Sequence, residues 1–165
     1  MATSQRRLSA VLHADLSDFV RLVEDAEDRT FEHVRLARAR VWQPAIEGAG
    51  GSVVHSEGDS LLAEFGTAND ALRAAIDIQE GMARFNSDLA KDQRLLFRIG
   101  VHLGEIIVDE EGHDIFGDGV NLAERIQGMA DPGGIAVSRA VRDVTDLWGD
   151  YAYVDGGEHR AMSAG

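Results

Sequence analysis

The sequence predicts an α+β fold in which helices pack on a mostly antiparallel sheet. Two observations indicate this class: strand-like and helix-like segments alternate along the chain, and several strands come as adjacent pairs joined by short turns. The chain has 165 residues, of which 44% are apolar. This length and composition fit one domain with a buried core, so residues 1–165 are taken as a single domain.

Each predicted element has its own signal. The apolar run Leu8–Leu16 predicts a buried strand. Apolar residues at helical spacing predict a helix over Thr30–Gly48, with a break or a bend near Gln43 because Pro44 follows. Two helices have a predicted cap: Thr67, with Asp70, opens a helix to about Asn86, and Ser138 caps a helix to about Leu147. The other predicted elements are a hairpin of strands Ser52–Ser56 and Ser60–Phe65, a strand pair Leu95–Leu103 and Glu105–Asp109 around Gly104, a helix Val120–Ala130, a strand Ile135–Val137 and a strand Tyr151–Val154.

Charge and composition exclude several classes of function. The formal net charge is −13, which would repel a nucleic acid, so no DNA or RNA partner is expected. The absence of cysteine excludes disulfides and thiolate chemistry. No apolar stretch has the length of a membrane span, and the first residues lack the features of a signal peptide. A cytoplasmic location is therefore the expectation.

Two aspartates are candidates for binding a hard cation. Asp15 lies at the end of the first apolar strand, and Asp59 lies in the predicted hairpin turn. Taken singly, each has an ordinary explanation, because Asp15 can cap the next helix and Gly-Asp is a common turn dipeptide. If their strands are neighbours, both carboxylates lie at one end of the sheet. Two carboxylates and a backbone carbonyl there can hold two Mg²⁺ ions.

The predicted helix Val120–Ala130 carries a second candidate group. Asn121 and Arg125 are four residues apart, so their side chains share one helix face. A guanidinium offers a planar set of donors for phosphate oxygens, which suits an anionic ligand. A solvated arginine paired with a nearby acid explains Arg125 equally well when the helix is considered alone.

Five segments, in this order and spacing, together resemble the class III nucleotidyl cyclase catalytic domain, and within it the bacterial adenylate cyclases of rhizobial type. The resemblance covers about residues 6–157 and implies a ferredoxin-like nucleotidyl cyclase fold. The matching segments are RRLSAVLHADLSDF, VVHSEGDSLLAEF, FRIGVHLGEIIV, DIFGDGVNLAERI and DPGGIAVS.

The resemblance implies an enzyme that makes cyclic AMP from ATP with two Mg²⁺ or Mn²⁺ ions per site. It implies that the site forms in a head-to-tail homodimer, in which one subunit supplies the two aspartates and the other supplies Asp114, Asn121 and Arg125. The roles it implies, residue by residue, are metal binding by Asp15, Asp59 and the Leu16 carbonyl, substrate binding by Phe19, purine selection by Asp114, ribose positioning by Asn121 and transition-state stabilisation by Arg125.

Three positions depart from the family pattern. His55 replaces the lysine that usually reads the purine, and Asp18 replaces a glycine that is common in the phosphate-binding turn. The tail from about residue 156 is predicted to be truncated or atypical, with Met162 near the position of a phosphate-binding lysine. The loss of two lysines leaves an alternative open, in which the domain is a weakened cyclase that binds nucleotide or mediates dimerisation and regulation.

Overall fold

A computed structural model describes residues 5–109, 111–112, 114–146, 151–154 and 156. In this part of the chain the strands form a six-stranded sheet of order β2-β3-β1-β4-β5, with β6 also beside β4. The strands are β1 (Gln5–Leu16), β2 (Ser52–Glu57), β3 (Ser60–Phe65), β4 (Phe97–Val108), β5 (Ile115–Phe116) and β6 (Ile135–Val137). The helices are α1 (Phe19–Asp25), α2 (Glu27–Ala37), a π segment (Arg38–Trp42), α3 (Gln43–Gly48), α4 (Ala68–Ser87), a 3₁₀ turn (Lys91–Gln93), α5 (Asp118–Gln127) and α6 (Arg139–Thr145).

The predicted fold class is confirmed. All neighbouring strands are antiparallel except β4 and β6, which run parallel. The larger core lies between one face of the sheet and helices α2, α3 and α4, where Trp42 packs edge-on against Phe97. Helix α5 covers the other face, over a smaller apolar cluster. Because side chains alternate along a strand, β1 supplies residues to both cores.

The predicted pair of strands around Gly104 is wrong. Strand β4 is continuous over twelve residues and pairs with β1 along its whole length, with Gly104 opposite Ser9. Sequence analysis took this glycine as a turn signal. In the structure it marks a close approach, because an added Cβ would lie 2.6 Å from Nε2 of His102. At Gly100 an added Cβ would lie 2.3 Å from the backbone nitrogen of Gln127, so α5 packs directly on the β4 backbone.

Of the break or bend predicted near Gln43, the break is wrong. Helix α2, the π segment and α3 follow one another with helical backbone angles at both junctions. Pro44 is the second residue of α3, and Gln43 separates it from the π segment. The π turn bonds each N–H to the fifth preceding residue, and this relaxes the hydrogen bonding that a proline would otherwise interrupt. The helix therefore continues through the proline.

The last elements match the sequence in part. Ser138 caps α6 by accepting a hydrogen bond from the Val141 N–H, as predicted, while Leu147 lies outside the described residues. Residues 151–154 are not a strand. Tyr151 donates a hydrogen bond to Asn69 and Tyr153 bonds to Thr145, so side chains hold this segment in place of a strand ladder.

Residues 157–165, which include Met162, lie outside the described residues, so their predicted departure from the family pattern stays a prediction. Among the residues that are described, no helix has both the length and the apolar character needed to cross a membrane.

Candidate active site

The structure brings the two predicted metal-binding aspartates to one end of the sheet. Asp15 pairs with Ser60 across β1 and β3, and Asp59 directly precedes Ser60 in the chain. The backbone N–H of Leu16 donates a hydrogen bond of 2.9 Å to the Asp59 carbonyl, which joins the end of β1 to the hairpin turn. Both aspartates are half-buried. The adjacency expected from the strand ends is thus present.

Sequence analysis missed a cation beside this pair. Arg98 on β4 lies directly opposite Asp15 in the sheet register, and paired residues of neighbouring strands project to the same face. In the part of the chain that the structure describes, the buried Nε of Arg98 has no hydrogen-bond partner. The signal was a single arginine in the otherwise uncharged segment FRIGVHLG. The unpaired Nε of Arg98 can donate to an anionic ligand, and the two carboxylates can bind the metal cations that accompany such a ligand.

Asn121 and Arg125 lie one turn apart on α5, as predicted. The side of α5 that packs on the sheet is formed by Gly119, Ala123 and Ile126. Asn121 and Arg125 flank it and are half-buried. Within the described ranges, neither side chain has a hydrogen-bond or ion-pair partner. The alternative of an arginine neutralised by a neighbouring acid is therefore wrong for this protomer, and both side chains are available to a ligand.

His55 and Asp114 come from opposite edges of the sheet and yet meet. Nε2 of His55 on β2 lies 3.9 Å from Oδ1 of Asp114, the residue that precedes β5. The sheet curls around the smaller core, which joins β2 and β5 through side chains including Val54 and Ile115. The two polar side chains are about half exposed, at 46% and 53%. Oδ1 of Asp114 also accepts a hydrogen bond from the Ile115 N–H, which orients the carboxylate.

The first turn of α1 holds the two remaining candidates. The ring of Phe19 packs edge-on against that of Phe31, with centroids 5.8 Å apart, so it joins α1 to α2. Its predicted contact with substrate stays a prediction. Asp18 has a φ of 57° and is the non-glycine residue with a left-handed backbone among those described. This conformation explains why glycine suits the position, since glycine adopts it without steric cost.

The donor set at the end of β1 fits a hard divalent cation that is shared with a phosphate. Two carboxylates and the Leu16 carbonyl supply only oxygen, which Mg²⁺ and Mn²⁺ prefer. Across the described residues there is no group of three or more acidic, histidine or cysteine side chains that could hold a metal alone. Mg²⁺ is commonly held by one or two carboxylates together with substrate phosphates. Asp15 and Asp59 meet that requirement.

Comparisons with known proteins show the class of protein to which this fold belongs. A sequence model of the adenylate and guanylate cyclase catalytic domain matches residues 5–160. The chain therefore belongs to the adenylate and guanylate cyclase catalytic domain family.

Individual relatives show the same family. The chain is 39% identical over 159 residues to a Rhizobium meliloti (strain 1021) protein named "Putative adenylate cyclase 3", covering 96% of this chain and 27% of that protein. It is 28% identical over 142 residues to the adenylate cyclase of Anabaena cylindrica, covering 78% and 28%. The chain thus spans about a quarter of the length of these relatives.

A solved structure covers the whole domain. The adenylate/guanylate cyclase/hydrolase from Silicibacter pomeroyi superposes with a TM-score of 0.89 at 36% identity. The match covers 99% of this chain and 94% of that one. The name of that protein includes both adenylate and guanylate cyclase, so it does not distinguish ATP from GTP as the substrate.

Proposed function

We propose that this domain is an adenylate cyclase, which converts ATP to 3′,5′-cyclic AMP and pyrophosphate. The observation that carries the proposal is the junction of Asp15 and Asp59 at one sheet end, with the unpaired Arg98 on the same face as Asp15. A triphosphate is the kind of anion that complements such a site. It supplies oxygen ligands for the metal and acceptors for the guanidinium.

The residues of the chain divide the work on ATP. Asp15, Asp59 and the Leu16 carbonyl hold the cations, and Arg98 donates to the phosphate oxygens. Asn121 holds the ribose so that its 3′-hydroxyl attacks the α-phosphate in line, and pyrophosphate leaves. Two Mg²⁺ or Mn²⁺ ions, when bound, lower the pKa of that hydroxyl and neutralise the triphosphate. Arg125 stabilises the charge that builds on the α-phosphate.

The complete site is proposed to form between two copies of the chain in a homodimer. Within the described part of one protomer, Arg125 makes no ion pair with Asp15 or Asp59. A single copy therefore does not pair the arginine with the metal-binding aspartates. Strands β2 and β5 each carry an exposed apolar side chain, Val53 and Phe116, whose exposed fractions are 43% and 44%. Apolar side chains at both edges suit a second copy, which would supply Asn121 and Arg125 to the aspartates of the first.

The contact between His55 and Asp114 supports ATP as the substrate. The Asp114 carboxylate can accept a hydrogen bond from the N6 amino group of adenine, whereas guanine presents an acceptor at that position. His55 can donate to N1 of adenine in its neutral form, with a shorter reach than a lysine. Both side chains are exposed enough to contact a base.

Variants at these two positions should change base discrimination in opposite directions. We expect His55→Lys to increase the preference for ATP over GTP about tenfold or less, because one hydrogen bond to the base is worth about 0.5–1.5 kcal/mol. Asp114→Ala should reduce the preference, since it removes the acceptor for N6. The measurement is kcat/KM for ATP and for GTP with Mn²⁺. Equal rates for both nucleotides that do not change with Asp114→Ala would show that this segment does not read the base.

The proposed function is tested by incubating the purified domain with Mn²⁺ and either ATP or GTP. Cyclic AMP from ATP, in excess of cyclic GMP from GTP, is the expected result. Absence of product from both nucleotides, with Mn²⁺ and with Mg²⁺, would contradict it. That outcome would favour the second candidate, a nucleotide-binding or dimerisation module, for which the replacement of the expected lysine by His55 is the supporting observation.

A further inference from the structure

The turn that carries Asp59 is held by a donor at each of its carbonyl groups. This metal turn comprises residues 57–59. The carbonyl of residue 57 accepts a hydrogen bond of 3.2 Å from the hydroxyl of Ser60, and that of residue 59 accepts one of 2.9 Å from the N–H of Leu16. The carbonyl of residue 58 accepts a bond of 2.5 Å from Nη2 of Arg38. Of these donors, only Arg38 belongs to another layer of the fold.

Arg38 reaches the metal turn from the π segment between α2 and α3. Its half-buried side chain lines a surface groove with Phe31, Val34 and Gly58. Burial lowers the pKa of the Arg38 guanidinium, while the negative charge of Asp59 acts in the opposite direction. The group stays protonated throughout the physiological range. A permanent cation therefore lies within electrostatic range of Asp59 and bonds directly to its turn.

We propose that Arg38 is a positioning residue that fixes the metal turn, so that the Asp59 carboxylate is held in the geometry a divalent cation requires. This inference rests on the proposed function, since it assumes that Asp59 binds the metal. The hydrogen bond to Gly58 connects the turn to the π segment between α2 and α3, which packs on the larger core. Gly58 has a φ of 54°, a backbone conformation open to glycine, and the bond restrains the most adaptable residue of the turn.

Arg38 also exerts an opposing effect, because its positive charge repels a cation bound at Asp59. The two effects differ in range. Arg38 and Asp59 form no ion pair among the contacts of the described residues, and solvent and salt weaken a charge interaction beyond contact distance. The hydrogen bond to Gly58, in contrast, is direct and charge-assisted. Positioning therefore outweighs repulsion, and removal of Arg38 should weaken metal binding.

The experiment compares Mn²⁺ binding to the purified wild-type domain and to its variants in the presence of a non-cyclisable ATP analogue, which supplies the phosphate ligands. Binding is measured by the loss of the electron paramagnetic resonance signal of free Mn²⁺ beyond the loss that the analogue alone causes. Arg38→Ala should raise the apparent Kd for Mn²⁺ about 10–100-fold, the range typical of residues that orient metal ligands. Arg38→Lys keeps a charged donor of similar reach and should recover most of the affinity. The Mn²⁺ concentration for half-maximal cyclase activity should shift in the same order, with a much smaller change in the KM for ATP.

Arg35→Ala is the matched control. Arg35 lines the same groove, but its guanidinium bonds to Glu32 at 3.0 and 2.6 Å, and among the described residues it makes no hydrogen bond to the metal turn. This variant should bind Mn²⁺ like the wild type. Thermal melting of all variants separates a loss of folding from a loss of positioning. If Arg38→Ala fails to fold, Arg38→Met replaces it, because methionine keeps much of the apolar side chain and has no donor for the Gly58 carbonyl.

Two outcomes would overturn the inference, and they are distinguishable from failure of the proposed function. If the folded Arg38→Ala variant binds Mn²⁺ as tightly as the wild type or more tightly, repulsion dominates and the positioning role is wrong, while the proposed function stands. If the wild type binds no Mn²⁺ and makes no cyclic nucleotide, the proposed function and this inference fail together.

Discussion

Asp59→Asn is expected to reduce cyclase activity by about three orders of magnitude, because the loss of a charged metal ligand removes several kcal/mol of transition-state stabilisation. The asparagine side chain has nearly the same shape, so the turn and its hydrogen bond to Leu16 should persist. The loss should therefore appear in kcat and in the metal requirement, with a melting temperature close to that of the wild type. The measurement is cyclic AMP production against Mn²⁺ concentration.

Asp77→Asn provides the control for this charge change. Asp77 is exposed on α4, in the helical layer on the face of the sheet that carries the larger core. Asp77→Asn changes the net charge of the chain by the same amount as Asp59→Asn, so an effect of net charge alone would appear in both variants. Wild-type activity is expected for Asp77→Asn. Full activity of Asp59→Asn would exclude Asp59 as a required metal ligand.

Arg125→Ala should reduce kcat by on the order of 10²–10³-fold, which is typical for the loss of one donor to a developing negative charge. The KM for ATP should change little, because the interaction strengthens only as charge builds on the α-phosphate. Arg125 has no partner among the described residues of its own chain, so its removal leaves no neighbouring acid unpaired. Stability should therefore be close to wild type.

Arg73→Ala on the exposed side of α4 is the control for Arg125→Ala. It removes an arginine of equal size from a helix on the other face of the sheet, and we expect unchanged kinetics. If Arg125→Ala raises the KM for ATP and leaves kcat intact, Arg125 binds the ground state and does not stabilise the transition state.

The parts of the fold that were predictable are those in which one strong local signal acts alone. The apolar run before Asp15 is a strand, and Thr67 caps α4 by accepting the Asp70 N–H. Gly104 and Pro44 misled because a glycine and a proline usually interrupt a strand or a helix, whereas here each lies inside a continuous one. At Gly104 the absence of a Cβ leaves room for the His102 ring. Before Pro44 the chain forms a π turn, and the helix continues although proline has no N–H to donate.

The site was predictable where it depends on strand ends and helix periodicity. The common face of Asn121 and Arg125 follows from their spacing. The adjacency of Asp15 and Asp59 was predicted only on the condition that their strands are neighbours, and the pairing of β1 with β3 meets that condition. Contacts between distant elements gave no such signal. The register that places Arg98 opposite Asp15, and the helix position that brings Arg38 to Gly58, are set by packing of the whole domain. The curl that joins His55 to Asp114 is likewise a property of the entire sheet.

The measurement that tests the account most directly is complementation between two inactive variants. Asp59→Ala and Arg125→Ala chains, mixed in equal amounts and allowed to exchange subunits, should regain cyclic AMP production from ATP. Random pairing makes half of the dimers mixed, and each mixed dimer holds one intact site of two, so about a quarter of wild-type activity is predicted. Each variant alone should stay inactive. No recovery, in a mixture shown to exchange subunits, would contradict a site shared between Asp59 of one chain and Arg125 of the other.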